Sequence, residues 1–344
     1  MRRVWGAGLA GLAGLAYALF AADTTQAFQT HSLGAQPSIT LLLLAYRPAV
    51  PGLRLTDRAR GDSDDVYSQV AYQPVGTNHR IMDTPLVSII TPSFNQEAFL
   101  PATIESVLAQ DYPRIEYGIV DGGSTDGSLP IIQDYADRLA WWVSEPDAGQ
   151  TAAINKGFAR AQGDILAWLN SDDVLAPNAV REAVEYLTSH PDVGMVYGRA
   201  DYIDATGKRV GAFPSAPTDY RRLRRGYVHI PQQAAFFRAR LWRMVGPLDE
   251  SFDFAMDYDL WVRLAALTPI AYHPRRWAGF RLHPASKTTA ADDLCWPEMI
   301  RVHRRLGGGP LAQIYLRYAL RRMIGPLWPH RMRWQIRRAG SHPH

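Results

Sequence analysis

The chain has 344 residues, 47% hydrophobic and 20% charged, a balance that excludes global disorder and fibrous repeats. A single cysteine, Cys295, excludes an intramolecular disulfide framework and any multi-cysteine zinc or iron–sulfur site, as in a chain built for a reducing compartment. The formal charge is +4, but ten arginines and no acid lie between Ile300 and His344, and without those arginines the remainder carries −6.

Arg2 and Arg3 precede an uncharged run, Val4–Ala22, that has the character of a signal sequence or a single membrane span. From Thr24 to Arg80 no period persists beyond the apolar burst Ile39–Tyr46, so residues 1–81 read as a poorly patterned extension outside the folded body.

At Met82 the pattern changes. Leu86–Thr91 predicts a strand, and the spacing of Phe99, Ile104, Val107 and Leu108 predicts a helix over 96–110. Ile115–Val120 predicts a second strand, ended by Asp121-Gly122-Gly123-Ser124-Thr125-Asp126-Gly127. A helix over 128–139, a strand over 140–143, a helix over 149–161 and a fourth strand over 164–169 follow. The expected fold is α/β, a Rossmann-like and mostly parallel sheet flanked by helices, occupying 82–290. In such sheets ligands bind beyond the carboxyl ends of the strands. Residues 291–344 read as a basic amphipathic helical tail in which Trp328 and Trp334 accompany the arginines. That composition suits an anionic membrane surface. The rival reading is a helix packed on the domain with a solvated basic face. No nucleic-acid motif accompanies the arginines, so nucleic acid is not an expected partner.

Two polar clusters follow strands directly. Asp121 precedes a Gly-Gly turn and can accept a hydrogen bond from an N–H group such as a base imide, although Asp-Gly also forms Asx-turns. Asn170-Ser171-Asp172-Asp173 offers oxygen ligands to a hard cation such as Mn²⁺ or Mg²⁺, or alternatively caps the next helix. Further on, Asp257 and Asp259 are two residues apart, so on a helix they diverge and one alone can enter a cleft. His283 is a candidate metal ligand near the end of this body.

The runs Pro85–Asn95, Val120–Gly127 and Leu169–Asp173 resemble, in order and spacing, glycosyltransferase family 2. Ser144–Gln150, Ala153–Gly157 and Asp257–Trp261 resemble a bacterial branch of it. The resemblance implies an A-type glycosyltransferase fold and inverting transfer from a nucleotide-diphosphate sugar, of UDP or dTDP type, with Mn²⁺ or Mg²⁺ as cofactor. It implies that Thr91, Pro92, Asn95, Asp121, Gln150, Asn155, Lys156, Asn170 and Asp172 serve the donor. Asp172, with Asp173 beside it, would serve the metal, and Asp257 would be the general base. The acceptor would be a glycan or lipid-linked hydroxyl in cell-surface polysaccharide or glycolipid synthesis. Asn170, Met256 and Gly118 depart from the family's usual residues. A non-catalytic sugar- or membrane-binding relative is the alternative. A nucleotidyltransferase would need a glycine- and lysine-rich loop after the first strand, where none stands. Because a span with Arg2 and Arg3 inside would export everything beyond it, away from a cytoplasmic donor, the expectation is that translation begins at Met82. The protein is then expected in the cytoplasm, peripheral on the inner face of the cell membrane.

Overall fold

A computed structural model describes residues 84–284, 286–287, 292–309 and 312–324. The N-terminal extension with its apolar run, the expected start at Met82, and Trp328 and Trp334 of the tail lie outside these residues.

Strands β1 (Val87–Ser93), β2 (Ile115–Asp121), β3 (Trp141–Ser144) and β4 (Ile165–Trp168) pair in parallel in the order β3-β2-β1-β4. They alternate with α1 (Leu100–Leu108), α2 (Ser128–Asp134) and α3 (Gln150–Arg160), as the punctuation of the sequence predicts. Helix α1 begins later than expected because Pro101 occupies its first turn, where a missing N–H costs nothing. The second half consists of β5 (Val174–Leu175), α4 (Ala179–Ser189), β6 (Met195–Ile203), β7 (Arg209–Ala212), α5 (Tyr220–Arg224), β8 (Ala235–Arg238), α6 (Ala239–Val245), α7 (Met256–Ala265) and β9 (Ile270–Arg281). Strand β8 runs antiparallel to both β4 and β6, β9 lies parallel to β6, and β5 and β7 add antiparallel pairings at the far side.

The sheet buries both faces. Val87 and Ile89 of β1 join one core with Leu100 and Ile104, while Ile90 joins the other with Ile154, Phe158 and Trp261. This period of two, buried on each side, explains why β1 reads as a continuous apolar run. Gly118, an interruption in the sequence pattern of β2, has a packing reason: a Cβ there would lie 2.3 Å from the Trp141 ring.

The sheet order reverses between β1 and β4. Their pairing stops at Ile90–Trp168, whereas β1 and β2 stay paired to Ser93–Asp121. Pro92, which has no N–H to give, sits where β4 has already turned away. Such a divergence marks the switch point at which an α/β sheet is expected to hold a ligand crevice.

Among the described residues after β9 stand helices α8 (Asp292–Arg305) and α9 (Gln313–Ile324). Val302 of α8 is buried in the same core as Trp261, so the basic stretch begins packed on the α/β body. Among the described residues no helix is long and apolar enough to cross a membrane.

Candidate active site

The carboxyl ends of β1 and β2 are laced to each other. The Gly122 N–H donates to the Ser93 carbonyl (2.9 Å), the Asn95 N–H to Ser124 Oγ (2.8 Å) and the Thr125 N–H to Asn95 Oδ1 (2.8 Å). Asn95 takes φ 51°, in the left-handed region that asparagine tolerates. Asp121 is fully buried and accepts from the Gly123 and Ser124 N–H groups (3.2 and 2.9 Å) and from the Ser124 and Ser144 hydroxyls (2.5 and 2.7 Å). The Asx-turn reading of this residue therefore holds. Oδ1 carries one donor, Ser124 Oγ, short of the two that a carboxylate oxygen accepts. Gly123, at φ 80°, gives the turn its left-handed step.

Thr91 and Pro92 are buried, and the Thr91 hydroxyl faces Tyr117 Oη at 3.0 Å. The alternation of the strand turns the Thr91 side chain into the core, which leaves its backbone at the ligand end of the sheet.

Where β4 ends, the fold joins residues 111 positions apart: His283 Nε2 lies 3.1 Å from Asp172 Oδ2. The two side chains are 5% and 18% exposed. His283 packs on Phe99 with ring centroids 4.5 Å apart, and the guanidinium of Arg281 covers the same ring at 5.1 Å. Arg281 is itself buried, donating from Nε to the Asp172 carbonyl (2.7 Å) and from Nη1 to the carbonyls of Asp204 and Ala205 (2.9 and 3.1 Å). Gln150, in the first turn of α3, donates from Nε2 to Asn170 Oδ1 (2.7 Å).

Asp173 departs from the expected metal role. It is fully buried, with Oδ1 accepting the Arg281 N–H (2.8 Å) and Oδ2 the Gln233 amide (3.3 Å). Burial, reinforced by the neighbouring Asp172 charge, pushes its carboxyl well above the usual range. Asp173 is a strut that fixes the turn, and the adjacent Asp172 faces the crevice.

An imidazole and a carboxylate side by side fit a hard divalent cation, which retains positions for water and phosphate oxygens. Among the described residues no group of three His, Cys, Asp or Glu side chains converges, so the candidate ligands here are this pair alone.

Asp257 lies in the first turn of α7 and accepts the Tyr258 N–H (2.6 Å). Burial raises its carboxyl to about 6. Asp259 is engaged elsewhere, paired with Arg263 at 2.9 Å, with side chains 8% and 13% exposed. Arg263 in turn holds the carbonyls of Val245, Gly246 and Pro247. Asn155 and Lys156 were expected on the donor, and their side chains have other duties. Asn155 donates to the Leu248 carbonyl (2.9 Å) and accepts its N–H (2.9 Å), while Lys156 pairs with Glu145 (2.7 Å). Helical spacing directs both toward neighbouring loops while Gln150 reaches Asn170.

The profile described as Glycosyl transferase family 2 matches residues 88–244. An uncharacterized glycosyltransferase of Mycobacterium tuberculosis is 36% identical over 184 residues, covering 53% of this chain and 69% of that protein. This chain belongs to glycosyltransferase family 2. The chondroitin synthase of Escherichia coli is 30% identical over 241 residues, 67% of this glycosyltransferase and 35% of that protein. Two solved structures share the fold. Staphylococcus aureus TarS 1-349 in complex with UDP-GlcNAc gives a TM-score of 0.55 at 17% identity, covering 70% of this chain and 73% of that one. The mannosyltransferase PcManGT of Pyrobaculum calidifontis in complex with GDP-Man and Mn²⁺ gives 0.51 at 20% identity, covering 76% and 77%. The architecture is the A-type glycosyltransferase fold.

Sequence reasoning missed three contributors to this glycosyltransferase's site. Ser144 holds Asp121, Gln233 holds Asp173, and Gln232 donates to the Trp168 carbonyl (2.7 Å) at the end of β4. The available signal was a polar Gln-Gln pair running straight into the buried strand Ala235–Phe237, where each amide needs a partner.

Proposed function

We propose that this glycosyltransferase moves a sugar, with inversion, from a nucleotide-diphosphate sugar of UDP or dTDP type to a hydroxyl of a glycan or lipid-linked acceptor. The observation that carries the reading is the Asp172–His283 pair at the switch point, with Asp257, a carboxylate raised by burial, on a separate helix. Asp172 and His283 would hold Mn²⁺ or Mg²⁺, which when bound supplies positive charge to the departing diphosphate. The Mn²⁺ complex of the mannosyltransferase supports that cofactor, and the UDP-GlcNAc complex of TarS supports the donor class.

The chain's own groups divide the remaining work. The laced β1 and β2 loops set Asp121 at the ligand end of the sheet, where a shift of the Ser124 turn would open Oδ1 to a base N–H. Gln150 and Asn170 stand together beside Asp172, where a sugar or phosphate oxygen can be bonded. Asp257 takes the acceptor's hydroxyl proton at a carboxylate oxygen, a job that suits a base poised near neutrality. One base and one displacement give inversion at the anomeric carbon. Release of free nucleotide against a panel of UDP-, dTDP- and GDP-sugars, with product anomers assigned by NMR, tests this reading. Retention of configuration would overturn it.

The similarity to chondroitin synthase supports a polysaccharide acceptor. A membrane contact is part of the same proposal. Helix α9 exposes Leu316, Leu320 and Met323 (60%, 36% and 75%) at one-turn spacing, beside a stretch that carries arginine and no acid. Such a face complements anionic lipid at the inner surface of the membrane, near a lipid-linked acceptor. The full chain should sediment with anionic vesicles in a salt-sensitive way, and a chain ending at Gly309 should not.

A further inference from the structure

Helix α8 opens the basic stretch, yet its Glu298 faces the body of the domain. The carboxylate of Glu298 accepts three successive backbone N–H groups: Asp253 (3.0 Å) and Phe254 (2.8 Å), one at each oxygen, and Ala255 (2.9 Å). Ala255 is the residue that caps α7, and it brings no side-chain cap of its own. An anion set against a helix N-terminus satisfies donors that would otherwise be unpaired and is favoured by the helix dipole. Two residues beyond that cap stands Asp257.

The same short segment is gripped from other directions. Arg301 and Arg305, one and two turns along α8, place their guanidinium groups over Phe252 at 4.1 and 4.8 Å. Arg305 also pairs with Asp249, and Arg301 donates to the Ser251 carbonyl. Burial alone would raise the Asp249 carboxyl, but Arg305 and Ser251 outweigh it and hold it at about 2. From the opposite side Thr151 of α3 donates to the Phe252 carbonyl (2.9 Å), and Lys287 donates to the Asp253 carbonyl (3.0 Å). Residues 249–255 are therefore clamped between α3 and α8, and Glu298 closes the clamp at the end nearest Asp257.

We infer that Glu298 is a positioning residue for this glycosyltransferase: by fixing residues 253–255 it sets the first turn of α7, and so the aim of Asp257 at the acceptor. The inference rests on Asp257 being the base. It makes α8 a working part of the transferase, in addition to any role of the basic stretch at a surface.

The test uses Glu298→Ala, which removes all three bonds, and Glu298→Gln, which keeps a carbonyl acceptor without the charge. A displaced base should lower kcat on the order of 10–100-fold in Glu298→Ala, because misplacement by about 1 Å has that effect, while donor KM stays within about twofold. Glu298→Gln should recover most of the loss. Near-normal kcat in Glu298→Ala would overturn the inference, as would a parallel loss of kcat and donor affinity in both variants. If Glu298→Ala does not fold, a folded Glu298→Asp, whose side chain is one methylene too short to reach the three N–H groups, decides: reduced kcat at unchanged donor KM supports it, and wild-type kcat overturns it. Combining Glu298→Ala with Asp257→Asn separates the two readings. The double variant should be no slower than Asp257→Asn alone, and full additivity would overturn the positioning role. An active Asp257→Asn single variant would instead sink the base assignment.

Discussion

Trp261 of α7 stacks on Trp168, the last residue of β4, with ring centroids 5.4 Å apart and planes 22° from parallel. Both indoles are buried, at 0% and 1% exposure. The helix that presents Asp257 is thus seated against the strand that runs out to Asp172, so the proposed base and the proposed metal-binding acid share one rigid support. Truncating Trp261 to Ala should cost about 3–5 kcal/mol, the range for deleting a buried aromatic. Chemical denaturation measures it, and a loss under about 1 kcal/mol would mean that the stack is dispensable.

Asp257 predicts a pH profile. It must be ionised to accept a proton, and burial holds its carboxyl at about 6, so kcat/KM should fall with unit slope below that pH and level off above it. On the plateau Asp257→Asn should lose about 10²–10⁴ in turnover while still binding nucleotide.

Stability should move in the opposite sense. The folded value of Asp257 lies above its ordinary 3.8, so the unfolded chain loses this proton first. Its contribution is fully present at low pH and is lost as pH rises from about 4 to about 6. At pH 8 Asp257→Asn should therefore melt no lower than wild type, as calorimetry can check; a large drop would indicate a structural role.

Asp259 should behave in the reverse way. Its pair with Arg263 is buried, and breaking such a pair is strongly destabilising, so Asp259→Asn should lose about 3 kcal/mol in a urea titration. Turnover of the folded fraction should stay near wild type. Collapse of turnover in Asp259→Asn with normal rates in Asp257→Asn would exchange their roles.

Removal of divalent cations should abolish transfer, and Mn²⁺ or Mg²⁺ should restore it. His283→Ala should raise the Mn²⁺ concentration needed by at least about tenfold, as loss of groups around a metal commonly does. Calorimetric titration of Mn²⁺ with nucleoside diphosphate present reads this apart from turnover. Unchanged metal demand would remove His283 from the site.

The order of strands and helices from Leu86 to Leu169 could be read directly, because the central strands β1 and β4 are buried on both faces and each connection carries its own turn residues. The polar clusters at Asp121 and Asp172 were legible for the same reason: in a parallel sheet, the residues after a strand stand at the ligand end. Position in the chain could not say which way each carboxylate points. Asp172 and Asp173 are neighbours in sequence with opposite fates, since one faces the crevice beside His283 and the other is locked by Gln233 and the backbone of Arg281. Asn155 and Lys156 matched a motif, yet packing gave their amide and amine to loops. The role of Glu298 had no local signature at all, because its partners lie more than 40 residues away. The sequence by itself determined the α/β order, the cluster positions and the basic character of the C-terminal stretch, all of which follow from local periodicity and composition. Only the tertiary structure decided which acids are struts and which are free to react, because that depends on which distant donors the folded chain brings within about 3 Å, the reach of a hydrogen bond.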